Sequence, residues 1–178
     1  DVSLPILLTQ HMPATFTAIL AEHLARVTGW AAREAVDGAA PAQRTIHVAP
    51  GDRHLLVEGG AGARKLRVTQ DPPENFCRPA VDPMFRSVAS SYGAAALGVI
   101  LTGMGSDGAK GAQVLVDAGG TVIAQDETTS VVWGMPGAAA QAGVCSAVLP
   151  LGDLGGWIKT HVAGRGRRRP TSNYWPIC

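Results

Sequence analysis

Short apolar runs alternate with amphipathic stretches along most of the chain. The runs have the length and the β-branched content of strands buried in a sheet, and they cover residues 4–9, 45–48, 94–101, 121–125 and 145–149. The stretches between them predict helices at residues 13–28, 81–92, 108–118, 137–142 and 151–162. In the first two, apolar side chains recur every three or four residues, and the third is rich in small residues and ends at two glycines. The chain therefore predicts strands that alternate with helices.

Two further runs, residues 55–58 and 65–69, are separated by a glycine-rich segment and predict an antiparallel hairpin. Strands that alternate with helices favour parallel pairing, because each parallel connection needs a crossover helix. We therefore predict an α/β fold with a doubly wound, mostly parallel sheet flanked by helices and one antiparallel hairpin. The chain opens directly on a strand expected to be buried, whereas folds of this kind usually place another strand before it.

Composition narrows the class of protein. Of 178 residues, 46% are hydrophobic and only 16% are charged, which excludes a largely disordered chain. No apolar run approaches the roughly 20 residues that a bilayer requires, and no signal peptide opens the chain. We expect a cytoplasmic protein without membrane insertion. The three cysteines have neither zinc-ligand nor disulfide-framework spacing.

The net charge of +1 conceals an uneven distribution. Residues 163–178 contain four arginines and no acidic residue, so the rest of the chain is mildly acidic. We predict a domain over residues 1–162 and a basic, disordered tail over residues 163–178. Such a tail can bind nucleic acid or anionic lipid without specificity, and we expect no specific nucleic-acid partner.

Two residues with acid–base chemistry follow predicted strands. His11 comes after the first strand, and Asp107 comes after the strand at residues 94–101. Carboxyl ends of parallel strands meet at one edge of a sheet, where ligands bind. A histidine and an aspartate there would form the base and its orienting group of a hydrolytic triad, and the glycines around Met104 would let its N–H approach an oxyanion. Alternatively, Asp107 caps its own helix and His11 is structural.

The loop at residues 103–108 also fits the pattern G-x-G-x-x-G, and Asp126 follows the next strand. On pattern alone this is a dinucleotide-binding fingerprint. Asp107 argues against it, because its carboxylate would lie in the loop that has to face a pyrophosphate. The fingerprint also comes late in the chain, whereas it normally opens the first βαβ unit.

Residues 101–109, with the sequence LTGMGSDGA, resemble the signature of the chemotaxis protein-glutamate methylesterases, the CheB-type catalytic domain. Other segments resemble this family in the same order. They are residues 8–13 (LTQHMP), 48–51 (VAPG) with His54, 78–82 (RPAVD), 124–127 (AQDE) and 131–136 (VVWGMP). The resemblance extends over residues 4–158.

The resemblance implies a serine hydrolase that cleaves methyl esters from glutamate side chains of chemoreceptors. Some relatives also deamidate receptor glutamines, and the family uses neither a metal nor an organic cofactor. By motif match, His11 corresponds to the catalytic histidine and Asp107 to the triad aspartate. Met104 corresponds to the residue whose backbone N–H helps to form the oxyanion hole. The implied partner is a methylated chemoreceptor.

The chain departs from the family in one respect. The family's nucleophile is a serine in a Gly-Ala-Ser-Thr-Gly-Gly turn after the first strand, and none of the serines here has that context. We expect an N-terminally truncated copy, without the first strand, the nucleophile turn and the receiver domain that usually precedes them. Such a copy should hydrolyse methyl esters negligibly by itself. A non-catalytic receptor-binding module is the alternative.

Overall fold

The structure is a computed structural model and describes residues 3–165. The predicted tail therefore lies almost entirely outside the described residues. The elements in chain order are β1 (Ile6–Leu8), α1 (Ala14–Thr28), β2 (Ala31–Glu34), β3 (Thr45–Val48), β4 (His54–Glu58), β5 (Lys65–Thr69), α2 (Val81–Tyr92), a short 3-10 turn (Gly93–Ala95), β6 (Leu97–Ile100), α3 (Ala109–Asp117), β7 (Thr121–Gln125), α4 (Met135–Gln141), β8 (Ala147–Leu149) and α5 (Leu151–Arg165).

The strands confirm the predicted fold class. Six of them pair in parallel, in the orders β1-β3-β2 and β6-β7-β8, and β4 pairs with β5 as the expected antiparallel hairpin. Helices connect β1 to β2, β6 to β7 and β7 to β8, whereas residues 35–44, which contain no helix, connect β2 to β3. The parallel strands form two three-stranded sheets instead of the single sheet that we expected.

Strands β1 and β6 lie at the edges of these two sheets. Within residues 3–165, β1 pairs only with β3, and β6 pairs only with β7. Leu4, which precedes β1, and Ile6, its first residue, are 45% and 36% exposed. The expectation that residues 4–9 form a buried strand is wrong for these positions, because apolar content predicts burial only for a strand that is covered on both sides.

Strand β2 was missed by the sequence pattern. Its sequence, Ala-Ala-Arg-Glu, has low β propensity, and it becomes a strand by pairing in parallel with β3. The helix predicted from residue 137 begins instead at Met135, because proline is tolerated in the first helical turn. Helix α5 continues to Arg165, three residues beyond the predicted end.

The main hydrophobic core joins α2 and α3 to the β6-β7-β8 sheet and the hairpin. Its fully buried side chains include Leu55, Leu66, Leu115 and Val122. A smaller core lies beneath α1 and contains Ala21, Ile46 and Val48. Within the described residues, no helix has the length and apolarity that a membrane span requires.

Candidate active site

The structure brings His11 and Asp107 together. His11 lies between β1 and α1, and Asp107 lies between β6 and α3, so both follow the carboxyl ends of parallel strands. The His11 Nε2 and the Asp107 Oδ2 are 2.7 Å apart, which is the distance of a charge-assisted hydrogen bond. This contact joins the rims of the two sheets, and it has the geometry of a base and its orienting group.

Asp107 is buried, with 2% of its surface exposed, and its carboxylate accepts four hydrogen bonds. Oδ2 accepts from His11 and from the Val81 N–H at 2.6 Å. Oδ1 accepts from the Asp82 N–H at 3.0 Å and from the Asn75 Nδ2 at 2.9 Å. Val81 and Asp82 are the first two residues of α2. Asp107 therefore caps α2, and the alternative that it caps its own helix is wrong.

These contacts decide the charge of Asp107. Burial alone would raise the pKa of this carboxyl, since it disfavours the charged form. The hydrogen bonds from His11, from the Val81 and Asp82 backbone and from Asn75 outweigh burial and lower the pKa below its ordinary value. The carboxylate is therefore ionised at neutral pH and can stabilise an imidazolium.

The ring of His11 is oriented by this contact. When Nε2–H donates to Asp107, Nδ1 keeps its lone pair and can accept a proton. The side chain is 26% exposed, so the ring is accessible from solvent. No serine hydroxyl within residues 3–165 forms a hydrogen bond with His11, and Ser106, the residue before Asp107, is exposed.

Met104 lies in the loop between β6 and α3, three positions before Asp107, and it is 83% exposed. The preceding residue fixes this loop: the Gly103 N–H donates to the Val132 carbonyl at 3.0 Å, and the Gly103 carbonyl accepts from the Met135 N–H at 2.8 Å. The N–H of Met104 itself donates to no group within the described part of the chain. It is therefore available to a ligand.

The start of α3, where the fingerprint would hold a pyrophosphate, already carries an anion. Asp82 Oδ1 accepts from the Gly108 N–H at 3.1 Å and from the Gly111 N–H at 2.6 Å. Asp82 is 1% exposed, so a phosphate would have to displace a buried carboxylate. This contact argues strongly against the dinucleotide-binding alternative.

Sequence reasoning missed Asn75 and Asp82. The Asn75 Nδ2 lies 2.9 Å from Asp107 Oδ1 and 2.8 Å from Asp82 Oδ2, and the sequence around Asn75 has no pattern that predicts these contacts. Asp82 lies in one of the segments that resemble the family, residues 78–82. An acidic residue in the first turn of a helix expected to be buried was the sequence feature that could have indicated its role. No clustered histidine, cysteine, aspartate and glutamate side chains within residues 3–165 could hold a metal ion.

The described residues also include two cysteines. Cys77 and Cys145 are free thiols. Burial raises the pKa of both, and the Asp107 charge adds to the effect at Cys77. Both are therefore protonated and unreactive at neutral pH.

Comparison with known proteins identifies the family of the chain. The model of the CheB methylesterase family matches residues 1–158. The chain is 62% identical over 161 residues to "Protein-glutamate methylesterase/protein-glutamine glutaminase 1" of Paramagnetospirillum magneticum, covering 90% of this chain and 42% of that protein. It is 60% identical over 159 residues to the protein-glutamate methylesterase/protein-glutamine glutaminase of Azospirillum brasilense, covering 89% of this chain and 40% of that protein.

The fold matches a solved structure as well. The crystal structure of the Thermotoga maritima CheB methylesterase catalytic domain superposes with a TM-score of 0.87 at 37% identity, covering 90% of this chain and 85% of that chain. The chain spans about two fifths of the length of the curated relatives that it matches. On the match of the family model over most of its length, the chain belongs to the CheB methylesterase family.

Proposed function

We propose that this chain is the catalytic part of a protein-glutamate methylesterase that acts on methylated chemoreceptors. The observation that carries the proposal is the 2.7 Å contact between His11 and Asp107 at the rim of the sheets. A buried, ionised carboxylate that fixes one imidazole nitrogen leaves the other as a general base. Family membership supplies the class of substrate.

The chemistry is acyl transfer by a serine. The serine hydroxyl attacks the ester carbonyl while His11 Nδ1 takes its proton, and the Met104 N–H stabilises the oxyanion that forms. The imidazolium, held by Asp107, then returns the proton to the departing methoxide, so methanol leaves and an acyl-serine remains. Water, deprotonated by His11, cleaves the acyl-serine and restores the glutamate carboxylate and the serine.

The serine is proposed to come from a segment outside these 178 residues. Strands β1 and β6 each lack a second partner within the described residues, and the loops after both of them meet at the His11–Asp107 contact. A parallel strand inserted between them would pair with both edges. The loop at its carboxyl end would then open onto His11, as the nucleophile turn of the resemblance requires.

The same residues could carry out a second reaction. With a receptor glutamine as the substrate, the proton from His11 would go to the departing nitrogen, and ammonia would leave in place of methanol. The printed names of the relatives include this glutaminase activity. The relatives are longer than this chain, which leaves room for a receiver domain. We propose that such a domain regulates the enzyme. We also propose that the enzyme is cytoplasmic and has no specific nucleic-acid partner.

The decisive experiment uses a longer version of the chain that includes the preceding serine turn, and it measures methanol release from a methylated receptor fragment. His11→Ala and Asp107→Asn should each lower turnover by about 10³-fold or more. His23→Ala and Asp117→Asn are matched controls, since both residues are exposed on the neighbouring helices α1 and α3, and both should retain activity.

Wild-type rates in His11→Ala and Asp107→Asn would remove the assignment. A complete version that binds the receptor fragment in a pull-down but releases no methanol would favour the non-catalytic binding module instead.

A further inference from the structure

Two buried carboxylates exchange helix caps at this site. Asp107 accepts the N–H groups of Val81 and Asp82 at the start of α2. Asp82, in that first turn, accepts the N–H groups of Gly108 and Gly111 at the start of α3. Each carboxylate therefore lies at the N-terminal end of a helix, the positive end of its dipole. The two anions nevertheless repel each other in a region shielded from water.

The side-chain amide of Asn75 lies between the two anions. Its Nδ2 is 2.8 Å from Asp82 Oδ2 and 2.9 Å from Asp107 Oδ1. An amide NH₂ has two protons and can donate one to each carboxylate. This uncharged amide therefore bridges the carboxylates of Asp82 and Asp107.

The backbone holds Asn75 in position for this role. Residues 74–77 form a two-residue turn in which Glu74 and Cys77 exchange backbone hydrogen bonds at 3.1 and 2.8 Å. Asn75 and Phe76 have φ values of 51° and 62°, as a type I′ turn requires. Asparagine tolerates this left-handed conformation better than most residues. The Glu74 carboxylate also accepts hydrogen bonds from both terminal nitrogens of Arg86, at 2.5 and 2.9 Å, and these bonds connect the turn to α2.

We propose that Asn75 is a positioning residue for the His11–Asp107 pair, acting by donating to Asp82 and Asp107 together. The proposal deepens the proposed function and rests on it for the catalytic consequence. Without the amide, Asp107 keeps its backbone donors but faces the charge of Asp82 directly. Its charged form then becomes less favourable, and the contact with His11 weakens at the moment when the imidazole has to carry a proton.

The first test needs only the 178-residue chain. The ¹³C-carboxyl shift of Asp107 is followed by NMR through an acid titration, for wild type, Asn75→Gly and Asn75→Asp. Glycine keeps the left-handed backbone and removes the donor, and aspartate replaces the donor with a third carboxylate. The groups that surround Asp107 and titrate or carry charge are His11, His54, Glu74, Cys77, Asp82 and Arg86.

Asn75→Gly should move the Asp107 titration upward by about one pH unit, and Asn75→Asp should move it further. Phe76→Gly is the matched control, because it changes the same turn at a fully exposed side chain, and it should leave the titration unchanged. A titration of Asp107 that is the same in wild type and Asn75→Gly would overturn the proposal, whatever the chain hydrolyses.

The second test uses the longer version with its serine. Asn75→Gly should lower kcat by about tenfold while KM changes little, because the residue acts on the base pair and not on substrate binding. An unchanged kcat would overturn the positioning role. If Asn75→Gly shifts the Asp107 titration while His11→Ala leaves turnover intact, the proposed function fails independently.

Discussion

Asp82 and Asp107 cap each other's helices: Asp107 accepts from the first turn of α2, where Asp82 lies, and Asp82 accepts from the first turn of α3, which begins two residues after Asp107. The carboxylate proposed for catalysis is therefore also part of the packing between α2 and α3. A change at either aspartate should affect both the stability and the chemistry.

The acid sensitivity of the fold should depend on Asp107. Its pKa is lowered in the folded chain, against about 3.9 in an unfolded one. It therefore contributes stability above pH 4 to 5, and this contribution is lost as pH falls through the unfolded and then the folded value. Asp107→Asn should be less stable at neutral pH by about 1–3 kcal/mol and should show a shallower loss of stability below pH 5.

Urea unfolding at several pH values measures this difference. Asp117→Asn, at an exposed acid, is the control and should follow the wild-type curve. If the free energy of unfolding of Asp107→Asn and of wild type fell in parallel as the pH was lowered, the acid sensitivity of the fold would not come from Asp107.

The close approach of α2 and α3 should depend on Gly111. A Cβ there would lie 2.8 Å from both the Asp82 carbonyl oxygen and the Phe85 Cβ. Gly111→Ala should therefore lower the free energy of unfolding by about 1–3 kcal/mol, despite the better helix propensity of alanine. Gly156→Ala, in α5 with open space around the position, should instead raise it by up to about 1 kcal/mol. Equal effects in chemical denaturation would contradict the packing argument.

The turn at residues 74–77 should be strained at Phe76. Its φ of 62° is costly for a bulky side chain, and its ring is fully exposed, so it gains no burial. Phe76→Gly should raise the free energy of unfolding by up to about 1 kcal/mol, or the melting temperature by about 2–4 °C. A lower melting temperature would show that the ring contributes contacts in the folded state.

The 178-residue chain by itself should release methanol from a methylated receptor fragment no faster than a buffer control. A base without its nucleophile loses most of the advantage of acyl transfer. An assay of methanol release by the purified wild-type chain and by its His11→Ala variant tests this prediction. Turnover that His11→Ala abolishes would place the nucleophile within these residues, and Ser106, exposed beside Asp107, would be the first serine to replace.

Much of the fold could be predicted from periodicity. Helix α2 and strands β3 and β7 have the predicted bounds, because their apolar positions face one core and their ends carry clear stop signals. The placement of His11 and Asp107 at the same rim could be predicted from topology, since both lie in loops that follow parallel strands, but the contact between their side chains could not. Their catalytic roles, and that of Met104, remain predictions.

The contacts of Asn75 and Asp82 could not be predicted in the same way. They depend on how closely α2 approaches α3 and on a turn with two left-handed residues, one of them a phenylalanine. Neither property leaves a periodic signal. For the same reason β2 was missed, since its strand conformation comes from pairing with β3 and not from its own composition.

The exchanged caps also bear on how sequences of this kind should be interpreted. A copy that had lost its esterase activity would still be destabilised by the loss of either aspartate, so selection for folding stability alone would favour their retention. The presence of Asp107 beside His11 then shows that the proposed base and its orienting group are in place, and turnover of substrate requires the nucleophile in addition.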